Sequence, residues 1–442
     1  MADEEADPPE GVEPESQPEP QPERELLTLA DGLPPVVETD QGLAAVCEAV
    51  KVGTGPVAID AERASGYRYS NRAYLIQLRR RGSGTALIDP IAFDSLAPLQ
   101  DAIGDTEWIL HAATQDLPCL ADVGLMPTAL FDTELAGRLL GYPRVGLATL
   151  VETLLGYRMK KEHSAVDWST RPLPEPWLEY AALDVEVLVE LRDVLDQELK
   201  ETGKDEWARQ EFDHLRGFVM PERVEAWRRT SGLHKVRGRR SLAVVRALWE
   251  ARDEIARQRD VTPGRIVPDA ALVVAATALP EDKDSLLGTK GFHGRGAERY
   301  AKRWVAAIRA AMELPEDDLP SRTQRGDGPP VPRAWAERDI VAARRLQLAR
   351  EAMTALAEEH HLPVENLLTP DSLRRVLWTP PATREPGELV EAVVDQLTGL
   401  GARGWQIALV APLIVRAILD ADSYSEGESE SEGDSGSGVS DS

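Results

Sequence analysis

Three widely spaced places in the chain carry residues able to do chemistry together: Asp60 and Glu62 in "PVAIDAE", Asp116 in "WILHAATQDLPCL", and Tyr180 with Asp184 in "EYAALDVEVLVEL". Residues i and i+2 of a strand share a face, so Asp60 and Glu62 can converge on one point at the end of an apolar strand. Tyr180 and Asp184 lie four apart, one above the other on a helix. Each has an ordinary reading when taken alone. Asp-x-Glu is usually surface charge, Asp116 suits a helix N-terminus, and Tyr-x-x-x-Asp can decorate the rim of a core. Four converging carboxylates, however, repel one another unless cations intervene. Oxygen-only ligands select hard ions such as Mg²⁺ or Mn²⁺. Two such ions about 4 Å apart activate a water and stabilise the leaving oxygen of a phosphodiester. A phenol with a pKa near 10 is a poor base, so Tyr180 is assigned to orienting the water.

Positioning these groups requires an α/β domain from about Leu26 to Arg216. "GPVAIDAE", "RAYLIQLRR", "GTALIDP" and "TEWILHAA" each predict a strand, the first three close enough for an antiparallel meander. A helix should follow in "TQDLPCLADVG", and residues 133–200 read as mostly helical. Leu183, Val187, Leu188 and Leu191 recur at helical spacing and should face a core. From about 231 to 312 the pattern is helical, then "PEDDLPSRTQRGDGPPVPRA" (315–334) reads as a linker, and 335–420 is helical again. The two blocks resemble repeats: "LWEARDEIARQRDVTPGRIVPDAAL" and "LAREAMTALAEEHHLPVENLLTPDSL" share a long amphipathic helix, a Pro and a Pro-Asp before the next helix. The Asp of each Pro-Asp is expected to cap that helix.

The chain has 442 residues, too many for one core, and a net charge of −26. That charge is concentrated at the ends. Residues 1–25 and 420–442 together carry −17, in Pro-, Ser- and Glu-rich tails expected to be disordered. Residues 228–310 hold eighteen Lys/Arg against nine Asp/Glu, a local surplus suited to phosphate contact, although a solvated helix face gives the same count. No apolar run reaches the roughly 20 residues of a membrane span. The acidic N-terminus is unlike a secretory signal. Cys47 and Cys119 fit no metal spacing and suggest a reduced, cytoplasmic compartment.

In order and spacing, Asp60-x-Glu62, Asp116 and Tyr180-x-x-x-Asp184 resemble the DEDDy group of 3′→5′ exonucleases, most closely the ribonuclease D family. "LIQL" (75–78), "LHAATQDLPCL" (110–120), "LFDTELAGRLLG" (130–141) and "HSAVDWSTRPLPEPWLEYAALDVEVL" (163–188) extend the likeness. The resemblance covers about residues 26–215. Residues 231–312 resemble an HRDC domain, and 335–420 a second one more loosely, with linkers at 216–230 and 313–334 and acidic tails at 1–25 and 421–442. It implies a ribonuclease H-like exonuclease domain with a mixed sheet flanked by helices, followed by two all-α domains. It also implies two divalent metals, Mg²⁺ or Mn²⁺. Asp60, Glu62 and Asp184 would hold the nucleophile-side ion, with Asp60 bridging, and Asp116 would serve the second. A monomeric exoribonuclease follows from it, releasing nucleoside 5′-monophosphates from the 3′ ends of RNAs such as tRNA precursors, without a membrane. Arg63 departs from the aromatic or apolar residue relatives carry there.

Other residues complete the expected site. Gln77, His111, Tyr67, Lys161, Arg237, Arg239 and Arg240 are candidates for RNA contact. Lys160 can contact phosphate or simply face solvent, and Tyr69 can stack on a base. Trp168 should pack between helices, and His360-His361 has no third ligand. A DNA exonuclease and a catalytically silent RNA-binding scaffold are the competing functions.

Overall fold

The computed structural model describes residues 24–160, 165–322 and 328–434. Lys161 and nearly all of the expected N-terminal tail fall outside these.

Six strands form one sheet in the order β1-β4-β3-β2-β5-β6. β2 (Thr54–Arg63), β3 (Ala73–Arg81) and β4 (Gly84–Ile88) make the expected antiparallel meander. β5 (Glu107–Leu110) and β6 (Ala129–Asp132) continue it parallel to β2, and β1 (Val36–Val37) pairs parallel with β4 at the other edge. Alternation along β2 decides where the chemistry lies. Val57, Ile59 and Ala61 join the core that includes Leu43 and Val50 of the Asp40–Val52 helix. Ala58, Asp60 and Glu62 face the opposite layer, which is built from the helices Glu175–Glu186 and Leu188–Glu201. These two were expected as one continuous helix. The backbone breaks at Val187 (φ −112°, ψ 1°), next to the buried Glu186. The Glu186 carboxylate takes an ion pair from Arg79 at 3.1 Å and hydrogen bonds from Thr85 and the Ala30 N–H.

Two helical blocks follow. The first includes Arg239–Arg259, Pro263–Ile266, Asp269–Ala278 and Ala301–Glu313, and has its own core around Trp304, Phe292 and Leu248. The second runs through Ile340–Glu359, Val364–Leu367, Pro370–Trp378, Pro386–Gly399 and Gly404–Asp434. A long helix, a one-turn helix and a medium helix recur in both, as the sequence suggested. The capping differs from expectation. Pro268 stands at the first cap, and Thr369 caps the second by accepting the Ser372 N–H. Asp269 instead pairs with buried Arg252 at 2.7 Å, and Asp371 pairs with Arg374 and Arg375.

The last helix also revises the hydropathy reading. Its Gly404–Ser423 portion, with mean hydropathy 1.5, is long and apolar enough to cross a bilayer, yet half of it is buried inside the protein. Val410, Ile414 and Ile418 from this helix share one continuous core with Ala58, Ile109, Leu191 and Leu195 of the α/β domain. Around that junction Trp207 stacks on Trp405 at 4.8 Å. Glu211 accepts from Trp405 Nε1 and from Arg403. Buried Lys204 donates to the carbonyls of Leu139 and His360. Gly141 has φ +85°, and a Cβ there would sit 2.3 Å from the His361 carbonyl oxygen, so only glycine permits this approach. His360 supplies a carbonyl to Lys204 and an edge contact with Trp207.

Candidate active site

Asp60 and Glu62 leave β2 on the same face, and the Glu175–Glu186 helix crosses above them. Carboxylate oxygens of Asp60, Glu62 and Asp184 lie within 4.8 Å of one another. Asp116 and Tyr180 join them in lining a cleft of about 440 Å³, with Arg63, His111, Gln115, Met159 and Lys160 among its walls. The five residues singled out from the sequence are therefore one neighbourhood.

Several devices hold these groups in place. Before the helix, Arg171 makes a bidentate pair with buried Asp89 at 2.6 and 2.8 Å and donates to the Tyr74 carbonyl at 2.7 Å. This fixes the "DWSTRP" segment against the sheet, with Trp168 fully buried between. After the helix, Glu186 is anchored as described. Asp116 directly precedes the short Leu117–Ala121 helix, at the end of a turn that begins with Ala112 in the left-handed region (φ 59°). That turn is held by Asp132. Its carboxylate accepts the N–H groups of Ala112 and Ala113, and also those of Glu134 and Leu135 at the start of the Thr133–Leu140 helix. Asp132 was not singled out from the sequence, though the Asp-Thr-Glu of "LFDTELAG" is an N-cap signal. Gln115, also unforeseen, is an exposed residue on the same turn.

The electrostatics fit a resident cation. Burial raises the pKa of Asp60, Asp116 and Asp184, and burial followed by Asp60 and Asp184 pushes Glu62 up to about 10. Four clustered carboxylates, Asp116 buried and the other three half-buried, cannot all ionise unless positive charge is supplied. An all-oxygen set of three convergent carboxylates fits a hard divalent ion such as Mg²⁺. The Tyr180 phenol is hydrogen-bonded to Asp184, and burial with the Asp184 and Glu62 charges raises its pKa above the ordinary value. It stays protonated at neutral pH. His111 meets the Thr133 hydroxyl at 2.8 Å, and burial pushes its pKa down to about 4, so it is neutral.

The remaining candidates are placed less uniformly. Gln77 is fully buried in β3, opposite Asp60 and flanked by β2 and β4. It is neither at a sheet edge nor able to touch RNA, which corrects the expected contact. Its amide nitrogen and oxygen have no hydrogen-bond partner among the described residues. Tyr67 carries the Arg265 guanidinium over its ring at 4.1 Å, so that face is taken. Tyr69 is turned toward the first helical block, where its hydroxyl donates to Asp253, which corrects the stacking role. The whole loop is clasped there: Asp260 accepts the N–H groups of Tyr69 and Ser70, and the Thr262 N–H donates to the Tyr67 carbonyl. Arg239 donates to the carbonyls of Glu316 and Leu319, and Arg240 to that of Met312 and to the Glu316 carboxylate. These two guanidiniums brace the end of the block. Arg237 is exposed, and none of the three lines the cleft. Lys160 pairs with Glu179 at the rim.

Fold and site define a metal-dependent nuclease of the 3′–5′ exonuclease class. Residues 34–200 match a family model described as 3′-5′ exonuclease, 241–308 match the HRDC domain, and 328–418 match a model described as the 3′ to 5′ exonuclease C-terminal domain. The second helical block thus matches a different model from the HRDC domain expected there. Ribonuclease D of Gluconacetobacter diazotrophicus is 30% identical over 356 residues, 78% of this chain and 87% of that protein. Ribonuclease D of Escherichia coli is 32% identical over 296 residues, 64% of this chain and 76% of that protein. Among solved structures, a protein from Bifidobacterium adolescentis superposes with a TM-score of 0.82 at 37% identity, covering 90% of this chain and all of that one. Escherichia coli RNase D, described as an exoribonuclease involved in structured RNA processing, gives 0.61 at 29% identity, covering 83% of this chain and 98% of that one. The chain belongs to the ribonuclease D family.

Proposed function

We propose that this protein is a 3′→5′ exoribonuclease that removes nucleoside 5′-monophosphates one at a time from RNA ends, including tRNA precursors and small structured RNAs. The observation that carries this is the convergence of Asp60, Glu62 and Asp184 within 4.8 Å, with Tyr180 and Asp116 beside them. Asp60, Glu62 and Asp184 would hold one divalent ion, Mg²⁺ or Mn²⁺, and Asp116 with Asp60 would serve a second. Bound there, such ions lower the pKa of a water and take up charge on the leaving oxygen.

The chain's own groups do the positioning. The protonated Tyr180 phenol orients the attacking water rather than deprotonating it, because its pKa lies above the ordinary phenol value. Asp184 fixes that phenol through their hydrogen bond. Attack at the terminal phosphorus breaks its bond to the 3′ oxygen of the penultimate nucleotide. A mononucleotide leaves, and a 3′ hydroxyl remains on the shortened RNA. The neutral His111 and Lys160 line the same cleft, and they would be the side chains to contact the departing nucleotide. The buried, unpaired thiols of Cys47 and Cys119 support a reducing, cytoplasmic setting, and we take the active unit to be a monomer.

Matched RNA labelled at either end tests the reading. With Mg²⁺ or Mn²⁺, a 3′ label should appear at once as mononucleotide, while a 5′ label steps down a ladder. Immediate mononucleotide from the 5′ label would reverse the polarity. Faster loss of a matched DNA strand would make it a DNA exonuclease. No metal-dependent cleavage of either strand would leave a silent scaffold.

A further inference from the structure

Gln77 lies at the centre of β3 with no exposed surface, and neither end of its side-chain amide has a hydrogen-bond partner among the described residues. A buried amide left unbonded weakens a fold, whereas an apolar side chain of similar length would fill the same space without that cost. Packing alone therefore gives no reason for glutamine here. Its neighbours on the same face narrow the choice of partner. Leu75, two residues back, and Leu87, opposite on β4, are fully buried and share a cluster with Ala181 and Ala182 of the Glu175–Glu186 helix. Arg79, two residues on, is committed to Glu186 and Thr85. Across the other ladder, directly opposite Gln77, stands Asp60. Opposed residues share a face with their Cβ atoms about 5 Å apart, within reach of these two side chains.

We propose that Gln77 is a positioning residue for Asp60, its amide N–H held ready to donate to the Asp60 carboxylate when a divalent cation sits among Asp60, Glu62 and Asp184. The inference rests on the exonuclease reading and deepens it by naming what stands behind the ligands. In this structure the Asp60 side chain is hydrogen-bonded to Asp116 instead, and the amide is left over. A carboxylate has two oxygens and several lone pairs, so Asp60 can ligate a cation and still accept an N–H from the strand beside it. Ligating side chains are ordinarily oriented by such a hydrogen bond from behind. Gln77 suits the task because its backbone is fixed by ladders on both sides and its side chain is enclosed, so the donor cannot swing out to solvent. The unbonded amide weakens the metal-free fold. Loading the cation removes that weakness, and the relief adds to the affinity for the ion.

Two measurements on the metal-free, full-length protein test this: its melting temperature, and its affinity for Mn²⁺ by titration calorimetry. Gln77→Met keeps the length of the side chain and removes the amide. It should bind Mn²⁺ about tenfold more weakly, the scale of losing a hydrogen bond behind a metal ligand. Without metal it should melt no lower than wild type, because the unbonded group is gone. Gln77→Leu should behave alike. Leu75→Met alters packing on the same face, opposite Glu62, and should leave the affinity unchanged. A role in the fold alone would not lower affinity while sparing stability. Unaltered affinity in Gln77→Met, or metal-free melting well below wild type in both Gln77 variants, overturns the assignment and makes the amide a support of the sheet. Equal weakening in Leu75→Met traces the effect to packing and overturns it too. Failure of the wild type itself to bind Mn²⁺ overturns the exonuclease reading instead.

Discussion

The Asp132 carboxylate accepts the Ala113 N–H at 2.8 Å, tying the start of one helix to the turn that carries Asp116. Four backbone N–H groups depend on this buried acid. Asp132→Ala should destabilise the fold by about 2–4 kcal/mol, combining a lost cap with orphaned buried donors. Chemical denaturation measures that loss. Asp132→Asn, whose remaining oxygen can keep the three contacts that Oδ1 accepts from Ala112, Glu134 and Leu135, should fall between wild type and Asp132→Ala.

The cleft predicts an unusual pH dependence. Glu62, with its folded pKa raised to about 10, holds a proton that the unfolded chain gives up near the ordinary value. The metal-free protein should therefore lose stability as pH rises through and above neutrality, because the folded state binds more protons there. Mg²⁺ or Mn²⁺ replaces those protons, so the melting temperature gained on adding metal should grow with pH. His111 acts at the acid end. Its folded pKa of about 4 lies below the unfolded value, so its contribution is lost as pH falls from about 6.5 to 4. Melting curves across pH with and without metal check both limbs, and Glu62→Gln should flatten the alkaline one.

Tyr180→Phe removes the hydroxyl and keeps the ring against the Glu175–Glu186 helix. Single-turnover rates should fall roughly 10²-fold, the scale of losing a positioned proton-sharing group, with Mn²⁺ affinity unchanged. An unaltered rate would take the tyrosine out of the chemistry.

Docking of the C-terminal block should be sensitive to one hydrogen atom's worth of space. Gly141→Ala must find room where the His361 carbonyl sits 2.3 Å from the new carbon, and must hold φ at +85°. Limited proteolysis should cut sooner near residue 361. Trp405→Ala should cost about 3–5 kcal/mol through the cavity beside Trp207.

Much of this was legible in the sequence, for identifiable reasons. Strand alternation and helical spacing are local, so β2 to β5 and the shared face of Tyr180 and Asp184 could be read directly. β1 has two residues and leaves no pattern. The break at Val187 leaves no local pattern, and the partners of the neighbouring Glu186, Arg79 and Thr85, come from distant strands. Gln77 looked polar and therefore accessible, and only the sheet order shows that it is enclosed. The basic surplus at 228–240 was real as charge, but Arg239 and Arg240 spend theirs on carbonyl groups, which composition cannot reveal. Asp132 was read past because a helix cap and a support for a neighbouring turn look alike in sequence.

The central claim is that Asp60, Glu62 and Asp184 hold the ion that makes hydrolysis possible. The most direct measurement pairs Mn²⁺ calorimetry with RNA turnover for wild type and Asp184→Asn. The expected result is loss of the tight ion together with a fall in turnover of at least about 10²–10³-fold, the scale of one lost electrostatic contact in the transition state, and no wild-type cleavage in EDTA. Full turnover by Asp184→Asn, or cleavage that persists in EDTA, would contradict it.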